Sequence, residues 1–124
     1  MRFERDVAAG DVWIWRRDAG VDATVTLSSK RPDYYPAGLW QQPTSAWYVC
    51  RFAVARALAG TALGVRLLNE IAEAALGAHV AALRLDVTAT NPFLISYYAA
   101  RGFSVIAHDE IMGAAAVFLE KKLG

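Results

Sequence analysis

The clearest periodicity in this chain is an alternation over residues 21–28. Val21, Ala23, Val25 and Leu27 share one side, and Asp22, Thr24, Thr26 and Ser28 the other. Neighbouring side chains of a strand point to opposite faces, so this reads as a strand with one buried face. Ahead of it, residues 11–17 carry the β-formers Val12, Trp13, Ile14 and Trp15, and Asp18, Ala19 and Gly20 offer a short turn. The pair predicts an antiparallel hairpin over 11–28. Residues 46–54 are apolar on both sides except at Arg51, the pattern of a central strand covered on both faces. From Gly60 the period becomes helical. Leu63, Leu67, Ile71 and Ala75 form a stripe widened by Leu68 and Ala72, and Gly77 closes the helix. Leu83, Leu85 and Val87 then alternate with Arg84, Asp86 and Thr88 in another strand.

The next helix is marked at both ends. Asn91 suits the N-cap, Pro92 the first helical position and Gly102 the left-handed cap, with the Arg101 cation in the last turn. Residues 103–107 and 115–121 read as two final strands, joined by 108–114 with Gly113 available for a turn. Helices between strands imply an α/β (α+β) class: a mixed, partly parallel sheet with helices on both faces. The whole chain, 1–124, reads as one domain. Residues 1–10 fit either a short helix or an irregular lead-in. Residues 29–45 are a loop rich in Pro, Asp and Gln, with Tyr34, Tyr35 and Trp40 inserted. These rings either line an acceptor pocket or pin the loop to the core.

Composition narrows the class. With 124 residues, 56% hydrophobic and 20% charged, the chain can bury a core of its own. A formal charge of +1 and no basic run argue against nucleic acid. No uncharged run reaches the roughly 18 residues of a membrane span. One cysteine, Cys50, and two histidines make an internal disulfide impossible and a metal site unexpected, which fits a cytoplasmic protein.

The chemistry concentrates in residues 55–64, Ala-Arg-Ala-Leu-Ala-Gly-Thr-Ala-Leu-Gly. Small residues between a strand and a helix let backbone N–H groups approach a ligand, and the helix start adds unpaired donors and a partial positive charge. Such a turn suits a phosphate. Arg56 and Arg66 flank it, and no acidic residue falls between Arg51 and Asn69. A nucleotide P-loop would need Lys and Ser or Thr after the last glycine, where Val65 and Arg66 stand. The dinucleotide fingerprint is a glycine short at Ala62.

Two cassettes together make the pattern specific. Residues 48–68, with Gly60-Thr-Ala-Leu-Gly64 at their centre, resemble the acyl-CoA-binding motif of the GNAT superfamily of N-acetyltransferases. Residues 83–91, followed by Tyr97-Tyr98-Ala-Ala-Arg-Gly102-Phe103, resemble that family's second cassette, in which an Asn starts the helix and a Tyr stands four residues before Gly-Phe. The resemblance is strong over 46–107 and weak over 11–28. It implies the acyl-CoA N-acyltransferase fold, with acetyl-CoA as cosubstrate and an amine as acceptor. By this resemblance Leu58, Ala59, Gly60, Thr61, Ala62, Leu63 and Gly64 cradle the pyrophosphate. Phe52, Ala53, Val54 and Asn91 line the pantetheine arm, and Tyr98 faces the thioester sulfur. The alternative for Tyr98 is a core aromatic on a helix face.

A tyrosine of pKa ~10 facing a thiol of ~8.5 transfers its proton uphill by roughly 2 kcal/mol, so Tyr98 is expected to hydrogen-bond the sulfur first and give up its proton late. Asp86 is a candidate base for the attacking amine, with Glu4, His108, Asp109 and Glu110 as others. The chain departs from the family at Ala57 and Ala59, where polar residues are usual, and in having about ten residues before the hairpin instead of a strand and two helices. The acceptor side is then open, completed by another subunit, or that of a shortened relative. A CoA-binding or interaction module without turnover is the alternative function. Trp13, Trp15, Trp40 and Trp47 suggest uncovered apolar surface and hence a homodimer.

Overall fold

A computed structural model describes residues 4–7, 12–17, 20–36, 38–40, 45–54 and 62–123. Strands β1 (Glu4–Val7), β2 (Val12–Arg17), β3 (Gly20–Ser28) and β4 (Ala46–Val54) are followed by helix α1 (Leu63–Gly77) and strand β5 (Ala82–Thr88). Helix α2 (Pro92–Ala100) and strands β6 (Ser104–Ile111) and β7 (Ala114–Lys122) complete the order. The seven strands form one sheet in the order β1-β2-β3-β4-β5-β7-β6. Only β4 and β5 pair in parallel; the other neighbours are antiparallel.

The hairpin, the central strand and both helices are observed where the pattern put them. Residues 1–10 contribute a strand, β1, paired with β2, instead of a helix or an irregular lead-in. The final hairpin is also tighter than expected. Strand β6 runs through His108, Asp109 and Glu110 to Ile111, and only Met112 (φ 50°) and Gly113 (φ 82°) turn the chain. Two successive positive φ angles give the primed turn that suits strand twist. His108, Asp109 and Glu110 read as loop because β6 is an exposed edge strand with no buried stripe.

Helix α1 ends through His79, not through Gly77. His79 has φ 62°, its N–H donates to Leu76 O at 3.0 Å, and Val80 N–H donates to Ala75 O at 2.9 Å. These are the two bonds of a Schellman motif, with a histidine in the left-handed position that glycine usually fills. Helix α2 has the expected caps. Asn91 Oδ1 accepts from Leu94 N–H at 3.2 Å, Pro92 opens the helix, and Gly102 has φ 95°. Arg101 is the C-cap residue, and its guanidinium lies 4.8 Å from the centre of the Tyr97 ring.

Helices on both faces is the expectation that needs correcting. Side chains of α1 (Leu67, Leu68, Ile71) and α2 (Tyr98) enter one core with Trp13, Trp15, Val25, Val49, Leu83 and Leu85. The β4-α1-β5 and β5-α2-β6 crossovers run the same way across the sheet, so two right-handed connections put both helices on one face. On the other face the described part of the long loop packs through Tyr35, Leu39 and Trp40. Tyr35 and Leu39 are buried there against Tyr48, Ala82, Ala116 and Phe118, and Trp40 packs alongside. Tyr35 is pinned edge-on to Phe118, with ring centres 5.0 Å apart.

Trp13 and Trp15 are core residues, and Trp40 and Trp47 are half-buried against the two cores. Trp15 is 0% exposed and donates from Nε1 to Glu70 Oε2 of α1 at 3.2 Å, while Trp13 packs edge-on against both Trp15 and Trp47. The large exposed apolar side chains include Phe93, Val105, Ile106 and Met112 instead. No described helix is long and apolar enough to cross a membrane.

Candidate functional site

The parallel seam between β4 and β5 is paired for three residues only. Ala46, Trp47 and Tyr48 face Ala82, Leu83 and Arg84, and the pairing stops there. Strand β5 stays paired with β7 along its whole length, from Ala82 to Thr88. Strand β4 stays with β3 as far as Ala23↔Val54. The sheet therefore divides into two halves that part along residues 49–54. The opening lies at the carboxyl ends of two parallel strands, where ligands of open α/β sheets bind.

Arg51 shapes the open half of β4. Its φ of 51° marks a bulge, and the register with β3 shifts between Thr24↔Ala53 and Thr26↔Cys50. One extra residue reverses which side chains face which side of a strand. Cys50 accordingly packs with the loop-side core, whereas Phe52 and Val54 pack with the helix-side core. Without the bulge, Phe52 and Val54 would face the loop. The apolar run 46–54 shows no sign of this, because a bulge is set by the pairing partner.

Helix α1 begins beside the end of β4. Its N-cap, Ala62, makes no side-chain hydrogen bond, and no acidic residue lies in the first turn. Gly64 in that turn permits a close approach: a Cβ there would stand 2.7 Å from Tyr97 Oη, with Val54 also near. Tyr97 therefore reaches from α2 to the start of α1. Of the residues expected to cradle the pyrophosphate, Ala62, Leu63 and Gly64 are in this first turn. Leu58, Ala59, Gly60 and Thr61 lie outside the described residues.

Tyr98 sits on the helix side of the sheet, buried and edge-on to Tyr97 and Phe103 at 5.4 Å in each case. Burial, with a smaller contribution from Tyr97, pushes its pKa up to about 12. Asp86 lies on the opposite side, as the alternation of β5 requires. It accepts a hydrogen bond from Tyr35 Oη at 2.6 Å. Burial first, and this bond second, hold the Tyr35 hydroxyl well above its ordinary range. Tyr98 and Asp86 thus lie on opposite faces of the sheet.

A polar cluster surrounds Asp86. Burial and then the Asp86 carboxylate raise the Cys50 thiol, while a hydrogen bond from Tyr34 and the Arg51 charge pull it back. Tyr34 is raised by burial, then by Cys50 and Asp86, and lowered by Arg51. Tyr34, Tyr35 and Cys50 are the members that local patterns missed as partners of Asp86, since 51 residues separate Tyr35 from it. The aromatic inserts in the loop were the one available sign. They divide between the two readings: Tyr35 and Trp40 pin the loop, and Tyr34 is exposed beside Cys50. The other candidate bases are elsewhere. His108, Asp109 and Glu110 are on β6, separated from β5 by β7, and Glu4 is on β1 at the far edge.

The donor set suits an acyl-CoA arm. A stretch of β4 backbone left unpaired by β5 can bond an extended amide-containing chain, and a helix start without acidic residues suits a phosphate. A mixed sheet that splits at its parallel seam, followed by these elements, defines an acyl-CoA-dependent type of transferase fold. A family model described as the acetyltransferase (GNAT) family matches residues 4–103, and the chain belongs to that family. No curated protein sequence matches it.

Solved structures share the fold at low identity. An IAA acetyltransferase from Bacillus cereus is 17% identical with a TM-score of 0.68, covering 90% of this chain and 77% of its own. A GNAT-family acetyltransferase from Listeria monocytogenes is 20% identical with a TM-score of 0.73, covering 91% and 64%. A Bacillus subtilis acetyltransferase in complex with CoA is 16% identical with a TM-score of 0.70, covering 91% and 76%.

Proposed function

We propose that this chain transfers an acetyl group from acetyl-CoA to the primary amine of a small molecule or peptide. The observation that carries the reading is the β4/β5 seam, which opens after Tyr48 and Arg84. The backbone of Phe52, Ala53 and Val54 and the amide of Asn91 would hold the pantetheine arm. Residues 58–64 would hold the pyrophosphate through backbone N–H groups, with Arg56 at their flank.

Bound acetyl-CoA supplies a thioester whose acyl carbon an amine attacks. An alkylammonium of pKa ~10 loses its proton at pH 7 at a cost of about 4 kcal/mol, and Asp86 Oδ2 is the group assigned to accept it while Tyr35 holds Oδ1 in place. Tyr98 has the opposite task. With its pKa near 12, full transfer of its proton to a thiolate of ~8.5 is uphill by roughly 5 kcal/mol. Tyr98 Oη therefore donates a hydrogen bond to the departing sulfur and keeps its proton until late.

The second reading, a CoA-binding module without turnover, draws support from the short link between β1 and β2. Residues 8–11 are too few to hold the two helices that the family resemblance expects there. Titration calorimetry with acetyl-CoA, followed by CoA release against a panel of amines, separates the two. The transferase reading expects one-to-one binding and amine-dependent release. Binding without release from any amine supports the module instead.

A further inference from the structure

An open groove of about 400 Å³ lies on the loop side of the sheet. Lys30, Arg31, Asp33 and Tyr34 of the loop line it, together with Cys50 and Arg51 of the open half of β4. Three cations face one carboxylate there, and Lys30, Arg31 and Arg51 are all exposed. Among the described residues, no carboxylate forms an ion pair with any of the three. Two of the lining side chains, Tyr34 and Cys50, also feel the Asp86 carboxylate. Cys50 of the lining and Asp86 each stand two residues beyond the last pair of the seam, Tyr48↔Arg84, and the lining Tyr34 ring lies 5.3 Å from that of Tyr35, which holds Asp86, so the groove adjoins the Asp86 side of the seam. Its cations are Arg51 on the strand and Lys30 and Arg31 on the loop, the Asp86 carboxylate stands on the neighbouring strand past Cys50, and its volume suits a small molecule.

That polarity matches a ligand carrying a cation and an anion a few bonds apart. Resting on the transferase reading, we propose that the acceptor is an amine bearing a carboxylate or phosphate. Arg51, with Lys30 and Arg31, holds the anionic group while the amine points to Asp86. The bulge at Arg51 serves both halves of the site: it turns Phe52 and Val54 to the helix side and leaves the guanidinium beside the groove. A plain alkylamine gains nothing from the three cations and is disfavoured by them in its protonated form.

The test uses matched amines that differ in one group: ethylamine, β-alanine and phosphoethanolamine, and butylamine with 5-aminopentanoate. Titration calorimetry on the full chain is expected to find the anionic members bound about tenfold more tightly than the alkylamines, with the preference shrinking as salt rises. The β-alanine and phosphoethanolamine arms tell carboxylate from phosphate. Arg51→Gln is expected to reduce the preference below threefold. Lys30→Gln with Arg31→Gln, which leaves the bulge untouched, is expected to weaken it as well. Equal binding within each pair, no binding by any anionic member, or a preference that survives all three substitutions overturns the proposal. Its failure is distinct from that of the transferase reading: acetylation of ethylamine as fast as β-alanine sinks only the anionic acceptor, and charge-dependent binding of β-alanine with no CoA release sinks only the transferase.

Discussion

Strands β4 and β5 run side by side, yet their two halves obey different rules. In the paired half, Arg84 is buried and fully engaged. Its Nε donates to Glu120 Oε2 at 2.8 Å, an NH group donates to Tyr48 Oη at 3.0 Å, and the guanidinium lies 4.7 Å from the Trp40 ring centre. Glu120 stands directly opposite Arg84 in the β5/β7 register. Every part of this arrangement faces protein. In the open half, two residues further along β5, Asp86 has one oxygen bonded to Tyr35 and no β4 partner opposite it. The same strand thus carries a charge that stabilises the fold and, one turn of the pleat later, a charge available for chemistry. Burial and completeness of partners separate them, not residue type.

This contrast can be broken from either side. The largest effect is expected from Glu120→Ala, which strands a buried guanidinium. Unfolding by denaturant should show a loss of about 3–5 kcal/mol. In the open half, Asp86→Asn keeps an oxygen for Tyr35 but removes the proposed base. It should lower kcat/KM about 10²-fold while unfolding stability changes by less than about 1 kcal/mol. A stability loss matching that of Glu120→Ala would make Asp86 another structural charge.

Tyr98 offers a pH test. Its pKa is raised from 10.0 in the unfolded reference to about 12 in the fold. Below pH 10 the hydroxyl is protonated in both states and contributes no slope. As pH rises from 10 to 12 the unfolded chain ionises first, so stability falls by up to about 3 kcal/mol. Tyr98→Phe should remove its share of that fall, leaving the share of Tyr35, and slow turnover about tenfold. Tyr35→Phe is the smallest change: loss of the bond to Asp86 should cost about 1 kcal/mol and reduce kcat more than it alters KM.

What could be read from residues alone depended on the range of the interaction behind it. Strand β4 was legible at both ends because its apolar side chains are its own signal. Helix α2 was legible because Asn91, Pro92 and Gly102 act within one turn of themselves. The face on which both helices lie was not, since it follows from strand order and crossover handedness together. Nor was the bulge at Arg51, which exists only in relation to β3. The Tyr35–Asp86 bond joins a loop to a distant strand, and no local pattern records it. The second half of strand β6 was not legible for a different reason: an exposed edge has no buried face to impose alternation, so His108-Asp109-Glu110 carries the pattern of a loop. The family resemblance reached further than periodicity, because paired cassettes carry long-range information that single elements lack.

Residues 49–54 of β4 are the proposed slot for the acyl-CoA arm. Residue-resolved amide hydrogen exchange, with and without acetyl-CoA, tests it most directly. Slower exchange is expected at Phe52, Ala53 and Val54 and in the first turn of α1, with no change at Ala46, Trp47 and Tyr48, already paired with β5. Saturating acetyl-CoA that leaves Phe52, Ala53 and Val54 unprotected, or protects only residues away from the seam, would contradict it.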